Sequence, residues 1–292
     1  MSSRLQERLE ASQFVITAEV CPPKGSDCSE FIAISRSLAP LVDAINVTDN
    51  QGANMRISPL AAASLLVREG IEPIYQVTCR DRNRLALQSD LLGAASLGIG
   101  NVLALTGDHI SFGDHPHAKP VFDLDSVQLI EIITSLNEGR DMNGSSLKGG
   151  AHFYCGAAAS PETEPFALSL FKIEKKVAAG ARFFQTQAVF DTEKLEMFCD
   201  KVRNLPVKVI GGILLLKSAG MARYINRNIP GLTIPDRIIE ELADAEDPTA
   251  RGVEIAGRLA REASSLCDGI HIMAMGREDL IPQIIGSVNH KR

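Results

Sequence analysis

The sequence predicts a (β/α)8 barrel, in which eight parallel strands, each followed by a helix, close on themselves. Short apolar, β-branched stretches alternate with amphipathic stretches along the chain, which is the pattern of a parallel sheet covered by helices. The chain has 292 residues, of which 45% are hydrophobic, and eight such units in about 250 residues are typical of this barrel. We therefore expect a single domain over residues 1–292, with a doubly wound open sheet as the alternative.

Eight stretches have the composition of buried strands. In chain order, they are FVITAEV from Phe14, AINVT from Ala44, PIYQVT from Pro73, NVLAL from Asn101, HFYCGAA from His152, FFQTQ from Phe183, VKVIGGI from Val207 and GIHIMA from Gly269. Apolar residues at three-to-four spacing predict helices between them, among these RLALQSDLLGAASLG from Arg84, SVQLIEIITSLNEG from Ser126 and PFALSLFKIEKKVAAGA from Pro165.

Three further segments interrupt or extend this alternation. A long irregular loop, TGDHISFGDHPHAKPVFDLD, follows the fourth strand, and a helical region from Ala219 to Cys267 follows the seventh. The segment GRDMNGSSLKGG from Gly139 resembles a linker, but it lies inside the repeating pattern. We therefore interpret it as a surface turn and not as a domain boundary.

Composition excludes several classes of protein. A formal net charge of −6 and a pI near 5.6 argue against a nucleic-acid-binding protein, which needs a concentrated positive face. No stretch reaches the roughly 18 apolar residues of a membrane span, and the N-terminus lacks the apolar core of a signal peptide. The six cysteines include no CxxC pair. We expect a cytoplasmic protein with reduced thiols.

In a (β/α)8 barrel the functional site lies at the carboxyl ends of the strands. Acidic, amide and hydroxyl side chains predominate at these positions, namely Glu19, Thr48, Asp49, Asn50, Gln76, Thr78, Thr106, Asp108, Ser160, Gln185 and Gln187. This set suits a polar, nitrogen-rich heterocycle better than a polyphosphate sugar, which would require more lysine and arginine.

Each charged candidate also has a structural interpretation. Glu19 could cap the helix that follows Pro22 and Pro23, or pair with Arg80. Asp108, at the end of an apolar strand, should meet a partner if it is buried, or bond to its own loop backbone.

Basic and metal-ligating residues are interpreted more simply. Lys172, Lys175 and Lys176 resemble a solvated helix face. His109, His115 and His117 lie in a Gly/Pro-containing loop, where histidines are more often solvated than metal-bound, so we expect no metal.

The joint order of several motifs resembles the methylenetetrahydrofolate reductase family over nearly the whole chain. The motifs are AEVCPP at Ala18, NVTDNQ at Asn46, QVTCRDRNR at Gln76, LALTGD at Leu103, KIEKKVAAGA at Lys172, FFQTQAVFD at Phe183 and GGIL at Gly211. The resemblance implies a barrel that holds FAD at the strand tips and reduces 5,10-methylenetetrahydrofolate to 5-methyltetrahydrofolate, or the reverse. It also implies that the regulatory domain of eukaryotic relatives is absent.

The resemblance assigns roles to individual residues. Glu19 is implied to protonate the folate nitrogen, Asp108 to lie beside flavin and pterin as a counter-charge, and Gln187 to contact folate. Positions implied to contact FAD are Thr48, Gln76, Thr106, Gly107, Asp108, Ala158, Lys175 and Lys176, the lysines at the diphosphate. Gln76 and Thr106 depart from the family, in which many members have His and some have Arg, and Ser160 stands where some have Tyr.

The physiological partners remain open at this stage. Met221 and Ile225 align with an amide and an aromatic ring of NADH-using relatives, which favours an electron-delivering partner subunit over NAD(P)H. A homo-oligomer is left open. The alternatives in function are a pterin-binding methyltransferase that passes a methyl group to a corrinoid protein, and a non-catalytic scaffold subunit.

Overall fold

The computed structural model describes residues 2–163, 165–229 and 231–288. All eight predicted strands are present, as β1 (Val15–Val20), β2 (Ala44–Val47), β3 (Pro73–Thr78), β4 (Asn101–Leu105), β5 (Tyr154–Ala159), β6 (Phe183–Ala188), β7 (Lys208–Leu214) and β8 (Gly269–Met273). They form a closed barrel in sequence order, and every pair is parallel. The predicted (β/α)8 barrel is therefore confirmed, and the open-sheet alternative is wrong.

Helices surround the barrel. Within the described residues they are α1 (Arg4–Glu10), α2 (Ser29–Leu38), α3 (Pro59–Arg68), α4 (Arg84–Ser96), α5 (Ser126–Asn137), α6 (Phe166–Ala179), α7 (Thr192–Val202), α8 (Ala219–Asn228), α9 (Asp236–Ala243), α10 (Pro248–Ser264) and α11 (Ile281–Gly286). The three helices predicted from Arg84, Ser126 and Pro165 are α4, α5 and α6. The helical region after β7 is α8, α9 and α10, with Pro230 outside the described residues.

Two separate layers of apolar packing stabilise the barrel. The larger cluster lies between the strands and the outer helices. The smaller cluster fills the barrel interior, where Leu5 and Leu9 of α1 pack with strand residues that include Tyr154 and Phe183. Helix α1 therefore closes the amino-terminal end of the barrel and leaves the carboxyl end for a site.

Hydrogen bonds fix α1 in this position. Glu72, which precedes β3, accepts the backbone N–H of Arg4 at 2.9 Å and of Leu5 at 2.8 Å. The Arg4 guanidinium donates to the Val42 carbonyl at 3.1 Å. The two bonds to Glu72 satisfy amides of the first helical turn that have no partner inside the helix.

Local features agree with the sequence predictions. The segment from Gly139 is a turn closed by an antiparallel bridge between Arg140 and Ser146. Gly212 is required by close packing, because an added Cβ would lie 2.5 Å from the Thr186 carbonyl oxygen. Over the described residues, every helix is too short or too polar to span a lipid bilayer.

Candidate active site

A cavity of about 380 Å³ opens at the carboxyl ends of the strands. The predicted residues that line it are Glu19, Gln76, Thr106, Gly107, Asp108, Ala158, Lys176 and Gln187. Thr48 and Lys175, which the resemblance assigns to FAD, do not line it, and neither does Asn50 after the end of β2. The fold thus brings residues from β1, β3, β4, β5, β6 and α6 to one place.

Glu19 is the buried acid of this cavity. It lies near the end of β1 with 8% of its surface exposed. Gln51 Nε2 donates to Glu19 Oε1 at 2.9 Å. Both structural interpretations from the sequence are wrong, because α2 begins at Ser29 and the Arg80 guanidinium bonds to Asp81 and to backbone carbonyls instead.

His271 on β8 is the second ionisable group beside Glu19. Its Nε2 lies 3.9 Å from Glu19 Oε2, and its Nδ1 lies 2.9 Å from Thr17 Oγ1. His271 is not among the residues predicted from the sequence, because a single His in an apolar strand resembles a core residue. The register of β1 and β8 could have indicated it, because Thr17, two residues before Glu19, pairs with His271.

A buried amide pair continues this polar layer across the barrel. Gln185 Nε2 donates to Thr17 Oγ1 at 3.3 Å and to Asn46 Oδ1 at 3.1 Å. Asn46 Nδ2 returns a bond to Gln185 Oε1 at 2.7 Å. Buried polar groups that are paired in this way rigidify their surroundings. Here they lie in the barrel interior, next to Thr17, which also contacts His271.

Asp108 lies at the mouth of the cavity and is exposed. The first alternative, a buried carboxylate that needs a partner, does not apply, because the chain leaves the barrel at Thr106 and Asp108 is exposed. The Asp108 carbonyl oxygen lies 3.5 Å from Arg80 Nη1, its hydrogen-bond donor. The carboxylate is left facing the cavity, where it can act on a ligand.

Arg80 is a buried cation that connects three loops at the mouth. Its guanidinium donates to both Asp81 carboxylate oxygens, at 2.9 and 2.8 Å, and to the Asn50 carbonyl at 3.2 Å. Burial opposes its charge, but the hydrogen bonds and charge of Asp81, followed by Asp49 and Asp108, leave its pKa above the ordinary value. The Arg80 side chain thus holds the loops after β2 and β4 in place.

Gly107, two residues after the end of β4, packs against Thr78 and Arg80. Its φ is +93°, and an added Cβ would lie 3.0 Å from Thr78 Cβ and 3.1 Å from Arg80 Cβ. A side chain at this position would therefore be strained by its backbone conformation as well as crowded.

Asp49 stabilises the loops at the opening of the cavity. Its carboxylate is buried and accepts Thr78 N at 2.8 Å and Thr78 Oγ1 at 2.9 Å. It also pairs with Arg82, which pairs in turn with Asp90 at 3.2 Å. A carboxylate with these partners has little capacity left for a ligand.

The lysines of α6 differ from one another. Lys176 is partly buried and donates to the Ala158 carbonyl at 2.8 Å. Burial, with the nearby charge of Lys172, lowers the pKa of Lys176 to about 8. Lys175 is exposed and lies 4.7 Å from the centre of the Phe171 ring. The interpretation of a uniformly solvated lysine face is therefore wrong for Lys176.

The site has room and donors for an extended anionic cofactor. A second cavity, of about 470 Å³, shares Thr106 and Gly107 with the first and reaches Gln128. The buried Thr48 hydroxyl makes no hydrogen bond within the described residues, but Thr48 lines neither cavity. A lysine inside the first cavity and an adjoining second space fit a flavin dinucleotide.

The loop after β4 that contains His109, His115 and His117 makes structural contacts with neighbouring loops. Asp114 in this loop pairs with Lys24 and lies 2.7 Å from His115 Nδ1, and it accepts the Met55 N–H at 3.0 Å. Hydrogen bonds from Lys24 and then from His115 hold the pKa of Asp114 well below its usual range. The described part of the chain contains no cluster of three or more His, Cys, Asp or Glu that could hold a metal.

Helix α8 differs from the expectation for the donor region. Ile225 is buried in the main core, and Met221 packs against that core. Neither lines the cavity, because both side chains pack into or against the core. Tyr224, one residue away, is 64% exposed, so the helix does carry an accessible aromatic ring.

Fold and site together define a (β/α)8 barrel with an acid- and amide-lined ligand cavity at the carboxyl ends of its strands. A sequence model of methylenetetrahydrofolate reductase matches residues 4–289. The chain belongs to the methylenetetrahydrofolate reductase family.

Individual relatives are distant in sequence. The probable methylenetetrahydrofolate reductase (NADPH) of Caenorhabditis elegans is 26% identical over 78% of this chain and 34% of its own length. The 5,10-methylenetetrahydrofolate reductase of Salmonella typhimurium is 28% identical over 72% of this chain and 68% of its own length. The chain thus spans about a third of the worm relative and most of the bacterial one.

Solved structures show the same fold. An uncharacterised protein from Clostridium thermocellum, described as binding two copies of 5-methyl-5,6,7,8-tetrahydrofolic acid, superimposes with a TM-score of 0.65. The two share 16% sequence identity, and the match covers 98% of this chain and 97% of the other. At this identity the likeness establishes the barrel alone.

Proposed function

We propose that this protein interconverts 5,10-methylenetetrahydrofolate and 5-methyltetrahydrofolate with the help of bound FAD. The observation that carries the proposal is the placement of Glu19 and Asp108 around one cavity, one buried and one exposed, at the end of the barrel where such folds carry out their chemistry. Family membership supports the reaction class.

The lining of the cavity supports a reduced pterin as the substrate. Gln187 offers an amide group and Asp108 a carboxylate, which together match donors and acceptors of a pterin ring. The Clostridium thermocellum protein with the same fold binds 5-methyltetrahydrofolic acid. This ligand would be the product of the proposed reaction.

Glu19 is the proposed general acid. The folate nitrogen must gain a proton as the five-membered ring opens, and Glu19 can deliver one because it lines the cavity with only 8% of its surface exposed. Gln51 holds its Oε1 oxygen, and His271 lies beside the other. Asp108 would stabilise the positive charge that the folate develops before reduction.

The cofactor is proposed on the fit of the site. When bound, FAD would supply the hydride that converts the methylene group to a methyl group. Lys175 and Lys176 would hold its diphosphate, and Thr48, Gln76, Thr106, Gly107, Asp108 and Ala158 would contact the rest. NAD(P)H or a partner subunit would deliver the electrons.

The Glu19→Gln variant tests the proposal. It should retain flavin absorbance and reduction by an artificial donor, but lose methylenetetrahydrofolate turnover by roughly 10²–10⁴-fold, the usual contribution of a general acid. Near-normal folate turnover in the variant would remove Glu19 from this role. A purified wild-type protein without flavin absorbance would favour the corrinoid-linked methyltransferase instead.

A further inference from the structure

The segment that follows β2 has an unusual backbone. Asn50 has φ +46° and ψ +54°, Gly52 has φ +62°, and Ala53 has φ +59°. Left-handed conformations are uncommon outside glycine, and for alanine they are strained. Such strain persists only where the surrounding structure enforces it, and it concentrates at functional sites. We therefore expect Gln51, which lies in this segment, to have a functional role.

The loop after β4 enforces this backbone. Gly113 lies so close that an added Cβ would be 1.8 Å from the Ala53 carbonyl oxygen. Asp114, the next residue, accepts the Met55 N–H at 3.0 Å and pairs with Lys24. The segment is thus held from outside by two neighbouring loops.

Gln51 uses both ends of its amide inside the site. Its Nε2 donates to Glu19 Oε1 at 2.9 Å, and its Oε1 accepts the Cys21 thiol at 3.0 Å. Burial, followed by the charge of Glu19, raises the pKa of Cys21 to about 11, so the thiol stays protonated and donates. The amide oxygen must therefore face Cys21, and the NH2 group must face Glu19.

Gln51 also separates two cavities. It lines the site cavity and a neighbouring cavity of about 540 Å³ that includes Cys21, Lys24 and Arg56. Glu19 lines only the first. The amide thus lies between the Glu19 carboxylate and the second cavity, which also carries Asp27, Glu30 and Glu278.

We propose that Gln51 is a positioning residue that fixes the Glu19 carboxylate, and that the Cys21 thiol fixes the orientation of the Gln51 amide. The inference rests on the proposed function, in which Glu19 is the acid. The other groups that face Glu19 are His271 from β8 and the Cys21 thiol from the loop after β1. Among the described residues, the hydrogen-bond donor to Glu19 Oε1 is Gln51.

A double-mutant cycle separates positioning from general damage. Gln51→Ala should lower kcat for folate about tenfold with little change in KM, the expected effect of one hydrogen bond that acts on the chemical step. In the Glu19→Gln background the same change should have almost no further effect. The alkaline limb of the kcat–pH profile, where the general acid loses its proton, should also move. Additive losses together with an unmoved pH profile would overturn the proposal.

Cysteine variants test the second half of the inference. Cys21→Ala should lower kcat because the amide loses the donor that orients it, and Cys21→Ser, which keeps an O–H donor, should restore part of the loss. Cys28→Ser, at a half-buried cysteine outside the site, is the matched control for the general effect of replacing a cysteine. Equal losses in Cys21→Ala and Cys21→Ser would show that the donor has no role.

One measurement does not depend on turnover. The side-chain carboxyl signal of Glu19 in ¹³C-glutamate-labelled protein can be assigned by its absence in Glu19→Gln. It should titrate at a different midpoint in Gln51→Ala than in the wild type, because the amide bonds to the charged form. An unchanged signal would overturn the inference. A wild type that shows this coupling but no folate turnover would contradict the proposed function alone.

Discussion

Two charged side chains at the site mouth have opposite signs and opposite surroundings. Asp108 is exposed, whereas Lys176 is partly buried and donates to a backbone carbonyl. The Asp108 carboxylate is accessible to a ligand, whereas burial lowers the pKa of Lys176 to about 8. Their effects on a bound flavin are therefore distinguishable.

Asp108→Asn preserves the shape of the side chain and removes its charge. We expect folate turnover to weaken and the reduction potential of bound flavin to rise, because a nearby anion disfavours the reduced, anionic flavin. A spectroelectrochemical titration measures the potential. Asp141→Asn, in the turn between α5 and β5 and outside the cavity, controls for net charge. An unchanged potential with unchanged folate kinetics would make Asp108 a loop residue only.

Lys176 predicts how flavin affinity depends on pH. Its pKa is about 8 in the free protein, and an anionic diphosphate would raise that pKa because it favours the charged form. Binding should therefore be tightest below pH 8 and weaken as pH rises above 8, by up to about tenfold per unit. Flavin fluorescence titrations at pH 7 to 10 measure this dependence.

Arginine variants assign the pH dependence to one lysine. Lys176→Arg should flatten it above pH 8, since arginine stays charged. Lys201→Arg, at an exposed lysine of α7 outside the cavity, should leave it in place. A wild-type affinity that is flat from pH 7 to 10 would contradict a role for Lys176 at the diphosphate.

At the scale of elements, α1 acts as a plug for the amino-terminal end of the barrel. Leu5 and Leu9 are completely buried among interior strand residues, so a short helix outside the eightfold repeat completes the barrel core. The candidate site lies at the opposite end. Stability and function are thereby placed at different ends of the same strands.

Leu9→Ala should lower the free energy of unfolding by about 2–5 kcal/mol, because it leaves a cavity in the barrel interior. Urea unfolding followed by circular dichroism measures the change. Leu85→Ala, at a residue that is 72% exposed, should change it by less than about 0.5 kcal/mol. A similar effect in both variants would mean that α1 does not pack as described.

At the scale of the whole molecule, the source of electrons depends on a surface next to the cavity. Ile225 of α8 faces the core, and the exposed Tyr224 does not line the cavity. No residue of α8 lines it within the described part of the chain. This arrangement favours docking of an electron-delivering partner over a built nicotinamide pocket.

We therefore expect the isolated, flavin-loaded chain to react rapidly with reduced dyes but slowly with NADH or NADPH. Stopped-flow mixing of the oxidised protein with each nucleotide measures the rate at which the flavin absorbance bleaches. NADPH belongs in the test because the name of the worm relative includes it. Bleaching at about 1 per second or faster would contradict the hypothesis of an electron-delivering partner and indicate an enzyme that uses the nucleotide directly.

The strands and the barrel could be read from the sequence because local composition determines them. Apolar, β-branched runs such as NVLAL and GIHIMA form strands wherever helices can cover them, and their alternation with helices specifies parallel pairing. The positions of Glu19, Gln76 and Asp108 at strand ends followed from the same periodicity. Their placement around one cavity follows from closure of the barrel.

The partners of these residues were decided only by the tertiary structure. His271 meets Thr17 from 254 positions away, and Gln185 meets Asn46 from 139 positions away, so no local pattern reports either contact. Gln51 reaches Glu19 because Gly113 and Asp114 hold its strained segment from another loop. Periodicity specifies which face of an element is buried, but hydrogen-bond partners depend on which elements the closed barrel brings together.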